Sequence, residues 1–383
     1  MEKKDKLLII ISDYLSNIVK KGEVVSNYYN PGNIFSEVHI VMINDDQISK
    51  NTKTFEEVQK MVGTAKLFLY NLPKPSFFRT CGWLEIFMHS WIKQGIELAK
   101  KIEPNVVRTY NNFLDGYLAY MIKQELNIPY IVSLHDSTRF GTLDFKGKLK
   151  LFFLKNKIFK VMKNAEKIIA VYSSIYNYAI KYNQDNTCLL YNQVASRHIK
   201  HKNDYRINET LHILTVNRQI NGKNPVNILK AIKDIDCYYT LIGDGELHEY
   251  LVNISRKYKC DNKVNFVTSK ANEDICKSLY KFDLMVMHSD FLGVSKGTIE
   301  AAIGALPIIL NNSKTDDFHG DWVYICDNTV ASYNEAIAKF AESEELRREY
   351  GQRAYAHAQK YFNAEEIEKQ TMDIYFAVMG NKR

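Results

Sequence analysis

Short apolar runs alternate with longer amphipathic stretches along the first half of the chain. The runs have the length of buried strands, and the stretches repeat apolar residues at helical spacing. This alternation predicts a parallel sheet whose strands are joined by crossover helices. The clearest predicted helices are Trp83–Ile102 and Leu114–Leu126. The predicted strands are Leu7–Ser12, Val38–Ile43, Leu67–Tyr70, Val106–Thr109, Tyr130–Leu134 and Lys167–Val171.

The same pattern restarts near residue 210 and predicts a second parallel sheet. The polar stretch Ser196–Glu209 separates the two series and is the predicted linker. The end of the chain predicts two helices, Glu342–Tyr361 and Glu365–Met379. Crossover helices of the second series are predicted at Asn224–Lys233, Gly245–Lys259 and Asn272–Tyr280. Its predicted strands are Leu211–Val216, Tyr238–Ile242, Val264–Val267, Leu284–Met287, Pro307–Leu310 and Trp322–Ile325.

Two α/β domains of this kind account for the length of the chain. At about 100–200 residues per domain, 383 residues correspond to two or three domains. Two Rossmann-like domains facing a cleft would hold a ligand at the carboxyl ends of their strands. The residues that follow the predicted strands are therefore the first candidates for a functional site.

Composition limits the possible classes of binding partner but does not select one of them. The formal net charge of +7 favours anionic partners, namely nucleotide phosphates, an anionic membrane surface or nucleic acid. The six cysteines include no C-x-x-C pair and no zinc-like spacing with histidine, which favours scattered thiols in a reducing compartment. The apolar run Leu7–Ile11 is too short for a signal-peptide core, and no run approaches the length of a membrane span. These features predict a cytoplasmic protein.

Two cations follow the first strand of the second series. Arg218 and Lys223 stand five residues apart in the segment Arg-Gln-Ile-Asn-Gly-Lys. A strand-to-helix turn presents backbone N–H groups and the positive end of a helix dipole. Arginine can also bind a phosphate through two N–H groups at once. The pair predicts a diphosphate site, and the alternative is a solvated pair of surface charges.

Two glycine-containing turns follow later strands of this series. Residues 241–246, Leu-Ile-Gly-Asp-Gly-Glu, are typical of a tight strand–turn–helix junction. Residues 291–307, FLGVSKGTIEAAIGALP, place small residues before a helix, where backbone amides can approach phosphate oxygens. Glu300 lies just inside that helix, where a carboxylate can accept hydrogen bonds from a ribose diol or only complement the helix dipole. The small residues of this loop are Gly293, Ser295, Gly297 and Thr298.

Together these segments resemble the family-4 (group 1) retaining glycosyltransferases, which have the GT-B fold. The donor-binding half of that family carries an Arg, a Lys five residues later, a Gly-Asp-Gly turn, a Val-x-Phe strand and a Glu-Ala segment that leads to Gly and Pro. The resemblance is strongest over about residues 210–310. The matching positions of this chain are Arg218, Lys223, Gly243–Gly245, Val264–Phe266 and Glu300–Pro307.

The resemblance implies a role for each matching residue. Arg218 and Lys223 would bind the donor diphosphate, and Glu300 would bind the ribose as part of the catalytic site. The loop with Gly293 and Gly297 would offer backbone amides to the phosphates. Ser295 and Thr298 would add hydroxyl groups to that diphosphate site, and Gly243 would line the cleft.

Two positions depart from the family pattern. The family places a first glutamate eight residues before the second, near the transferred sugar, and this chain has Leu292 there. Leucine can neither accept a hydrogen bond nor stabilise positive charge. Asp290, two residues earlier, could take over that role if the loop is rearranged. The second departure is Thr268, where the family often has glycine after the Val-x-Phe strand.

The first half of the chain carries a weaker match. The strand Tyr130–Leu134 leads to His135, which resembles the family histidine that faces the cleft and touches the donor sugar; the alternative is a surface histidine. Gly22 stands where the family has a glycine-rich loop lining the cleft. Arg108, at the end of another strand, could face the acceptor or belong to an ordinary loop.

A basic segment spans residues 146–167 and contains eight lysines interleaved with aromatic and aliphatic residues. Its spacing predicts a helix with one apolar and one basic face. Such a helix can lie on an anionic lipid surface, or it can pack on the core with its lysines in water. We expect no nucleic acid partner, because no known binding motif accompanies the charge.

The resemblance implies three segments: an acceptor-side domain over residues 1–200, a nucleotide-sugar-binding domain over 205–360, and a helix over 361–383 that returns to the first domain. It implies transfer of a hexosyl residue, with retention and without a metal or other cofactor, from a nucleotide diphosphate sugar, by family habit a UDP-sugar. The acceptor would be a hydroxyl of a glycan or lipid-linked glycan in surface polysaccharide synthesis. The alternatives are a sugar-nucleotide 2-epimerase of similar fold and, because of Leu292, a donor-binding but inactive partner subunit. The sequence leaves the oligomeric state open.

Overall fold

The computed structural model describes residues 5–135, 145–311, 316–318 and 320–380, with only the backbone of residues 145 and 146. The side chain of Lys146, which belongs to the predicted basic segment, therefore lies outside the described part. The chain forms two compact units. The first contains residues 1–193 and 365–383, and the second contains residues 194–364.

The first unit is built on a seven-stranded sheet with the order β3-β2-β1-β4-β5-β6-β7, in which every neighbouring pair is parallel. Six of these strands were predicted from the sequence, and the seventh, the short strand β7, was missed. The strands are β1 (Lys6–Ile11), β2 (Glu37–Met42), β3 (Lys66–Asn71), β4 (Val106–Thr109), β5 (Tyr130–Leu134), β6 (Lys167–Ala170) and β7 (Thr187–Leu189).

Helices cover both faces of this sheet. In β1, Leu8 and Ile10 enter one apolar cluster, whereas Leu7, Ile9 and Ile11 enter the cluster on the other face. Successive side chains of a strand point to opposite faces, so a strand covered on both sides reads as one continuous apolar run. The helices are α1 (Leu15–Lys20), α2 (Lys53–Val62), α3 (Glu85–Ile102), α4 (Leu114–Leu126), α5 (Phe145–Asn164) and α6 (Ser173–Asn183).

The last helix of the chain, α13 (Ala364–Met379), packs within the first unit. Tyr375 is fully buried there, and its ring centroid lies 4.9 Å from that of Phe35. Its hydroxyl accepts a hydrogen bond of 3.1 Å from Nη1 of Arg108 in β4. The end of the chain therefore supplies part of the first unit's core.

The second unit repeats the strand order of the first around its own six-stranded parallel sheet, β10-β9-β8-β11-β12-β13. Its strands are β8 (Leu211–Val216), β9 (Cys237–Ile242), β10 (Val264–Val267), β11 (Leu284–Met287), β12 (Ile308–Asn311) and β13 (Tyr324–Cys326). Its helices are α7 (Val226–Ala231), α8 (His248–Lys257), α9 (Asn272–Ser278), α10 (Lys296–Ile303), α11 (Val330–Glu342) and α12 (Glu344–Tyr361). The two parallel α/β sheets confirm the predicted GT-B fold class at the level of each unit.

The predicted linker 196–209 packs onto the second unit. Tyr205 is 2% exposed and donates a hydrogen bond of 2.9 Å to the carbonyl of Ala305. Lys202 is also buried, and its Nζ lies 3.4 Å from Oδ1 of Asp283. The other carboxylate oxygen of Asp283 accepts a hydrogen bond from the N–H of His212 at the start of β8. Polar residues in this stretch therefore anchor it, and the chain passes between the units at Gln193–Val194.

Replacing Asp283 with asparagine is expected to destabilise the second unit. Burial lowers the pKa of Lys202 and the neighbouring Asp283 carboxylate opposes that shift, so the aspartate is the charge that balances this lysine. Removing one partner of a buried ion pair costs about 3 kcal/mol, because the other charge stays desolvated. Chemical denaturation should show this loss for Asp283→Asn. Glu335→Gln removes a surface partner of Lys339 and serves as the control, for which no measurable loss is expected.

Candidate active site

The strands β8 and β11 are neighbours in the second sheet, and the strand order reverses between them. In parallel sheets, ligands bind outside the carboxyl ends of the strands at such a reversal. Residues 217–223 follow β8, and residues 288–295 follow β11. Most of the site residues predicted for the second half lie in these two segments or in the helix that follows the second.

The segment after β8 is braced against the turn after β9 by backbone hydrogen bonds. The N–H of Asn217 donates to the carbonyl of Ile242, and the N–H of Gln219 donates to that of Asp244, both over 2.9 Å. The N–H of Leu247, after the same turn, donates a hydrogen bond of 2.9 Å to the carbonyl of Gln219. Arg218 lies between the braced residues, so its backbone position is fixed although its side chain is exposed.

The glycines of the Gly-Asp-Gly turn make this brace possible. A Cβ atom built on Gly243 would lie 1.9 Å from the carbonyl oxygen of Asn217, and one on Gly245 would lie 2.3 Å from that of Gln219. Both glycines have positive φ values, 139° and 155°, which side-chain-bearing residues rarely adopt. Gly243 therefore contributes by permitting close contact between two backbones.

The segment after β11 is tied to the same place. Nδ2 of Asn217 donates to the carbonyl of His288 over 3.0 Å, and the N–H of Asp290 donates to the carbonyl of Gly222 over 2.8 Å. Lys223 Nζ lies 5.5 Å from the centre of the Phe291 ring. Hydrogen bonds thus connect the loop that carries Arg218 and Lys223 to the loop that precedes α10.

Helix α10 begins beside the end of β8, since a Cβ atom on Gly297 would lie 3.6 Å from Val216. Ser295 is its N-cap, and its Oγ accepts a hydrogen bond of 3.2 Å from the N–H of Thr298. The N–H of Gly297 has no acceptor among the described residues, as is typical of the first turn of a helix. Thr298 is 2% exposed, and its hydroxyl contacts Ser295 and the sulfur of Met287. Thr298 therefore stabilises the helix start, whereas Gly297 has a donor left for a ligand.

Glu300 lies one turn into α10 and is 3% exposed. Its Oε1 accepts a hydrogen bond of 2.8 Å from Nδ2 of Asn272, the first residue of α9. This contact fixes the orientation of the carboxylate. The sequence carries only a weak signal for this role of Asn272, namely a polar residue at a predicted helix start.

The charges of the segments after β8 and β11 are mainly positive. The guanidinium of Arg218 makes no hydrogen bond or ion pair with any described residue. The Asp290 side chain is 62% exposed, and its Oδ2 lies 3.2 Å from Nε2 of the buried His288. Asp290 is thus placed beside Gly222 and the Lys223 loop. Gly293 and Leu292 lie half-buried in the same loop.

Several residues that build this site were not predicted from the sequence. Gln219 is 1% exposed, and its side chain donates to the carbonyl of Gly243 over 2.6 Å while its Oε1 lies 2.9 Å from Nδ1 of His248. Asn217 and His288 join the two strand ends as described above. The only signal in the sequence was their position directly after a strand, which many surface residues share.

In the first unit, the structure brings two of the predicted site residues together. Arg108 and His135 line one small cavity at the carboxyl ends of β4 to β7. Arg108 lies inside β4, not in a loop, and is 6% exposed. Gly22, by contrast, has a φ of 68° and follows the last turn of α1, a position that favours glycine for backbone reasons.

A buried acid near the same sheet edge was also missed. Asp115, in the first turn of α4, is fully buried, and burial raises the pKa of its carboxyl to about 7. The backbone N–H groups of Gly116 and Asp115 at the start of α4 oppose this rise of the pKa. Its neighbours in sequence, Leu114 and Gly116, gave no signal of a buried acid.

The described residues form neither a metal site nor a membrane span. No group of three or more His, Cys, Asp or Glu side chains is placed to hold a metal ion in that part of the chain. Within the same residues, no helix combines the length and the apolar character needed to cross a bilayer.

Comparison with solved structures identifies the fold. A glycosyltransferase from Rickettsia africae superposes with a TM-score of 0.74 at 14% identity, over 99% of this chain and all of the other. The structure of Anabaena HepE in complex with UDP and glucose gives a TM-score of 0.72 at 12% identity, over 97% of this chain and 100% of the other. The chain therefore has the GT-B fold of these glycosyltransferases.

Sequence comparison gives relatives of the same class. Residues 198–357 match the family model described as glycosyl transferases group 1. An uncharacterised glycosyltransferase of Methanocaldococcus jannaschii is 24% identical over 77% of this chain and 81% of its own length. N-acetyl-alpha-D-glucosaminyl L-malate synthase of Bacillus anthracis is 23% identical over 75% of this chain and 78% of its own length. The chain is thus similar to group 1 glycosyltransferases, and residues 198–357 include most of the segment in which the sequence motifs predicted that resemblance.

Replacing Gly243 with alanine should disrupt the brace between the two turns. The new Cβ would overlap the carbonyl of Asn217, and the backbone has a φ that alanine rarely adopts. We expect a lower melting temperature for Gly243→Ala in thermal denaturation. Gly297→Ala is the matched control, since its Cβ would meet only ordinary contacts at 3.6 Å. Equal melting temperatures for both variants would contradict this explanation.

Proposed function

We propose that this protein transfers a hexosyl residue from a nucleotide diphosphate sugar, with a UDP-sugar favoured, to a hydroxyl of a glycan or lipid-linked glycan. The observation that carries the proposal is the convergence of Arg218, Lys223 and the start of α10 at one edge of the second sheet. The proposed place of action is the cytoplasmic side of a membrane, in the synthesis of a surface polysaccharide.

The diphosphate is assigned to these cationic and N–H donors. Arg218 is exposed and makes no ion pair with a described residue, so it can bind a phosphate without first breaking a contact. The free N–H of Gly297 lies at the positive end of the α10 dipole, which favours an anion. The same donors would stabilise the charge that develops on the leaving nucleotide diphosphate.

The ribose is assigned to Glu300. A carboxylate has acceptor sites for several hydrogen bonds, and the bond from Nδ2 of Asn272 holds this one in place. Its burial makes each further bond stronger than it would be in water. The solved complex of HepE with UDP and glucose supports a uridine nucleotide as the first candidate.

The transferred sugar is assigned to a less complete set of groups. Leu292 cannot serve the sugar, so we assign this role to Asp290, whose carboxylate is exposed beside the Lys223 loop and close to His288. The proposed mechanism retains the anomeric configuration without a metal. The acceptor would attack from the side of the leaving phosphate, and that phosphate would accept the acceptor's proton.

The decisive test compares two arginine variants for binding and for turnover. Arg218→Ala should bind UDP at least about tenfold more weakly, because a charge-assisted hydrogen bond contributes about 1.5–3 kcal/mol. Arg256→Ala removes an exposed arginine of α8 and should leave UDP binding unchanged. Isothermal titration with UDP checks both variants, and equal affinities would overturn the assignment of the diphosphate site.

Product analysis with UDP-sugars separates the proposed transferase from the alternatives. The wild type should release UDP when a hydroxyl acceptor is present. A changed sugar nucleotide without any acceptor would instead identify a 2-epimerase. UDP binding without turnover across a broad acceptor panel would identify an inactive partner subunit, which the leucine at position 292 allows.

The proposed location at a membrane rests on a surface of the first unit. Four large apolar side chains are strongly exposed there: Phe78 at 81%, Ile86 at 78%, Phe87 at 55% and Phe152 at 74%. A continuous series of ring contacts joins two of them, from Phe78 through two inner phenylalanines to Phe152, with centroid distances of 5.6, 5.8 and 5.6 Å. We call this the aromatic–lysine surface; its exposed lysines are Lys148, Lys150 and Lys155.

The chemistry of this surface favours an anionic bilayer over a neutral one. Inserting one phenylalanine side chain contributes about 1.5–3 kcal/mol, and each lysine adds about 1 kcal/mol near anionic lipid. The opposite face of α5 is not available to lipid, because Leu154, Ile158 and Met162 are buried in the core. The helix thus combines the two alternatives predicted from the sequence: one face packs on the core, and the other can lie on anionic lipid.

Co-sedimentation with lipid vesicles tests this location. The wild type should bind vesicles of equimolar phosphatidylglycerol and phosphatidylcholine, and bind pure phosphatidylcholine much less. Phe78→Ser combined with Phe152→Ser should reduce binding to the anionic vesicles at least about tenfold, since two apolar anchors are lost. Tyr250→Ser, at an exposed aromatic residue of α8, is the control. Equal binding of the double variant and the wild type would show that this surface does not contact lipid.

A further inference from the structure

The cavity of the first unit contains a buried cation without a balancing anion. Arg108 is 6% exposed, yet no carboxylate of the described residues lies within 4.0 Å of its guanidinium. Its charge is offset only by hydroxyls and rings: Nε donates to Oγ of Ser133 over 3.0 Å, and Nη1 donates to the hydroxyl of Tyr375 over 3.1 Å. The guanidinium carbon also lies 4.9 Å from the centre of the Tyr110 ring.

Part of the guanidinium remains available to a ligand. Arginine has five N–H donors, and only two of those of Arg108 have an acceptor in the described part of the protein. Nη2 has no acceptor in that part of the protein either, and it remains partly accessible to solvent. Arginine stays charged at every physiological pH, so this buried position carries a desolvation cost that a bound anion would offset.

The cavity has the size and lining of a site for one small charged group. Its volume is about 30 Å³, and one water molecule needs about 10–15 Å³ on the same measure, so the cavity has room for a small group such as a carboxylate or phosphate. Besides Arg108, its polar lining includes Ser133, His135, Asn192 and Gln193, at the carboxyl ends of β5 to β7. Such strand ends are the usual place for ligands in parallel α/β sheets.

One carboxylate also lines the cavity. Glu368 of α13 is held by the N–H of Gly32, which donates to its Oε1 over 2.7 Å. It lies beyond ion-pair distance from Arg108 and leaves the guanidinium charge unpaired. Its hydrogen bond to the backbone keeps it on the wall of the cavity formed by the C-terminal helix.

We propose that this cavity binds the anionic group, a carboxylate or a phosphate, of the acceptor substrate, with Arg108 as the residue that recognises it. The identification of the ligand as the acceptor rests on the proposed glycosyl transfer; the anion site itself does not. The proposal separates the two anion sites of the protein, the diphosphate site at Arg218 in the second unit and a smaller site at Arg108 in the first. An acceptor without a negative charge would bind more weakly than one that carries it.

Titration of the full-length protein with four small anions tests this assignment. The probes are L-malate, succinate, glycerol 3-phosphate and inorganic phosphate, which distinguish a carboxylate from a phosphate ligand, with glycerol as the neutral control. We expect saturable binding of at least one anion in calorimetry and none of glycerol. Arg108→Met should weaken that binding at least about tenfold, because bidentate charge-assisted hydrogen bonds are lost. Arg218→Ala should leave it unchanged.

Two further readouts complete the experiment. The bound anion should leave the UDP affinity of the wild type unchanged, since the two ligands occupy separate sites. If Arg108→Met fails to fold, the wild type alone decides the question. With histidine labelled for NMR, the anion should shift the imidazole signals of His135, which lines the cavity, and leave those of His248 in the second unit unchanged.

The results that overturn the proposal are distinct from those that overturn the proposed function. The anion site is excluded if no probe binds, if every probe that binds competes with UDP, or if binding is lost in Arg218→Ala and kept in Arg108→Met. In each of these cases UDP binding and sugar transfer by the wild type would still stand. Loss of UDP binding in Arg218→Ala would support the donor site whether or not the cavity binds an anion.

Discussion

The candidate donor site depends on the close approach of two backbones at the ends of β8 and β9. Gly243 and Gly245 lie against the carbonyls of Asn217 and Gln219, where no side chain fits. This contact holds the loop that carries Arg218, and the same loop is joined to the segment before α10 through Gly222 and Asp290. A loop bearing an exposed cation would otherwise be free to move. The backbone contact fixes its position, so the arginine side chain alone has to adjust to a ligand.

The two cationic sites of the protein differ in how they are stabilised when empty. Arg218 is surrounded by water, so its charge costs little in the absence of a ligand. Arg108 is buried among tyrosines and depends on Ser133 and Tyr375 for its hydrogen bonds. An exposed cation suits a ligand that must bind and leave in every reaction cycle. A buried cation in a small cavity suits selection between ligands, because a ligand without the matching charge leaves the guanidinium unsatisfied.

The sequence predicted the strand series well because parallel strands buried on both faces read as continuous apolar runs. It missed β7, since Thr187–Leu189 is short and only partly buried, and it placed the start of α3 too early. Trp83, the predicted first residue of that helix, has a φ of 58° and is buried before the helix begins. Among the site residues, charged and glycine positions could be recognised from spacing. Gln219, Asn272 and Tyr375 could not, because their roles arise from contacts with residues distant in the sequence.

The return of α13 to the first unit means that this unit is not continuous along the chain. Residues 194–364 form a complete second unit between the two parts of the first. During synthesis, the second unit can therefore fold as soon as it has emerged from the ribosome, whereas the first must wait for Tyr375 near the end of the chain. Until then Phe35 and Arg108 lack a partner that buries them. The unit that is made first is thus the one completed last, and its core gains the Tyr375 contacts only after the second unit has been synthesised.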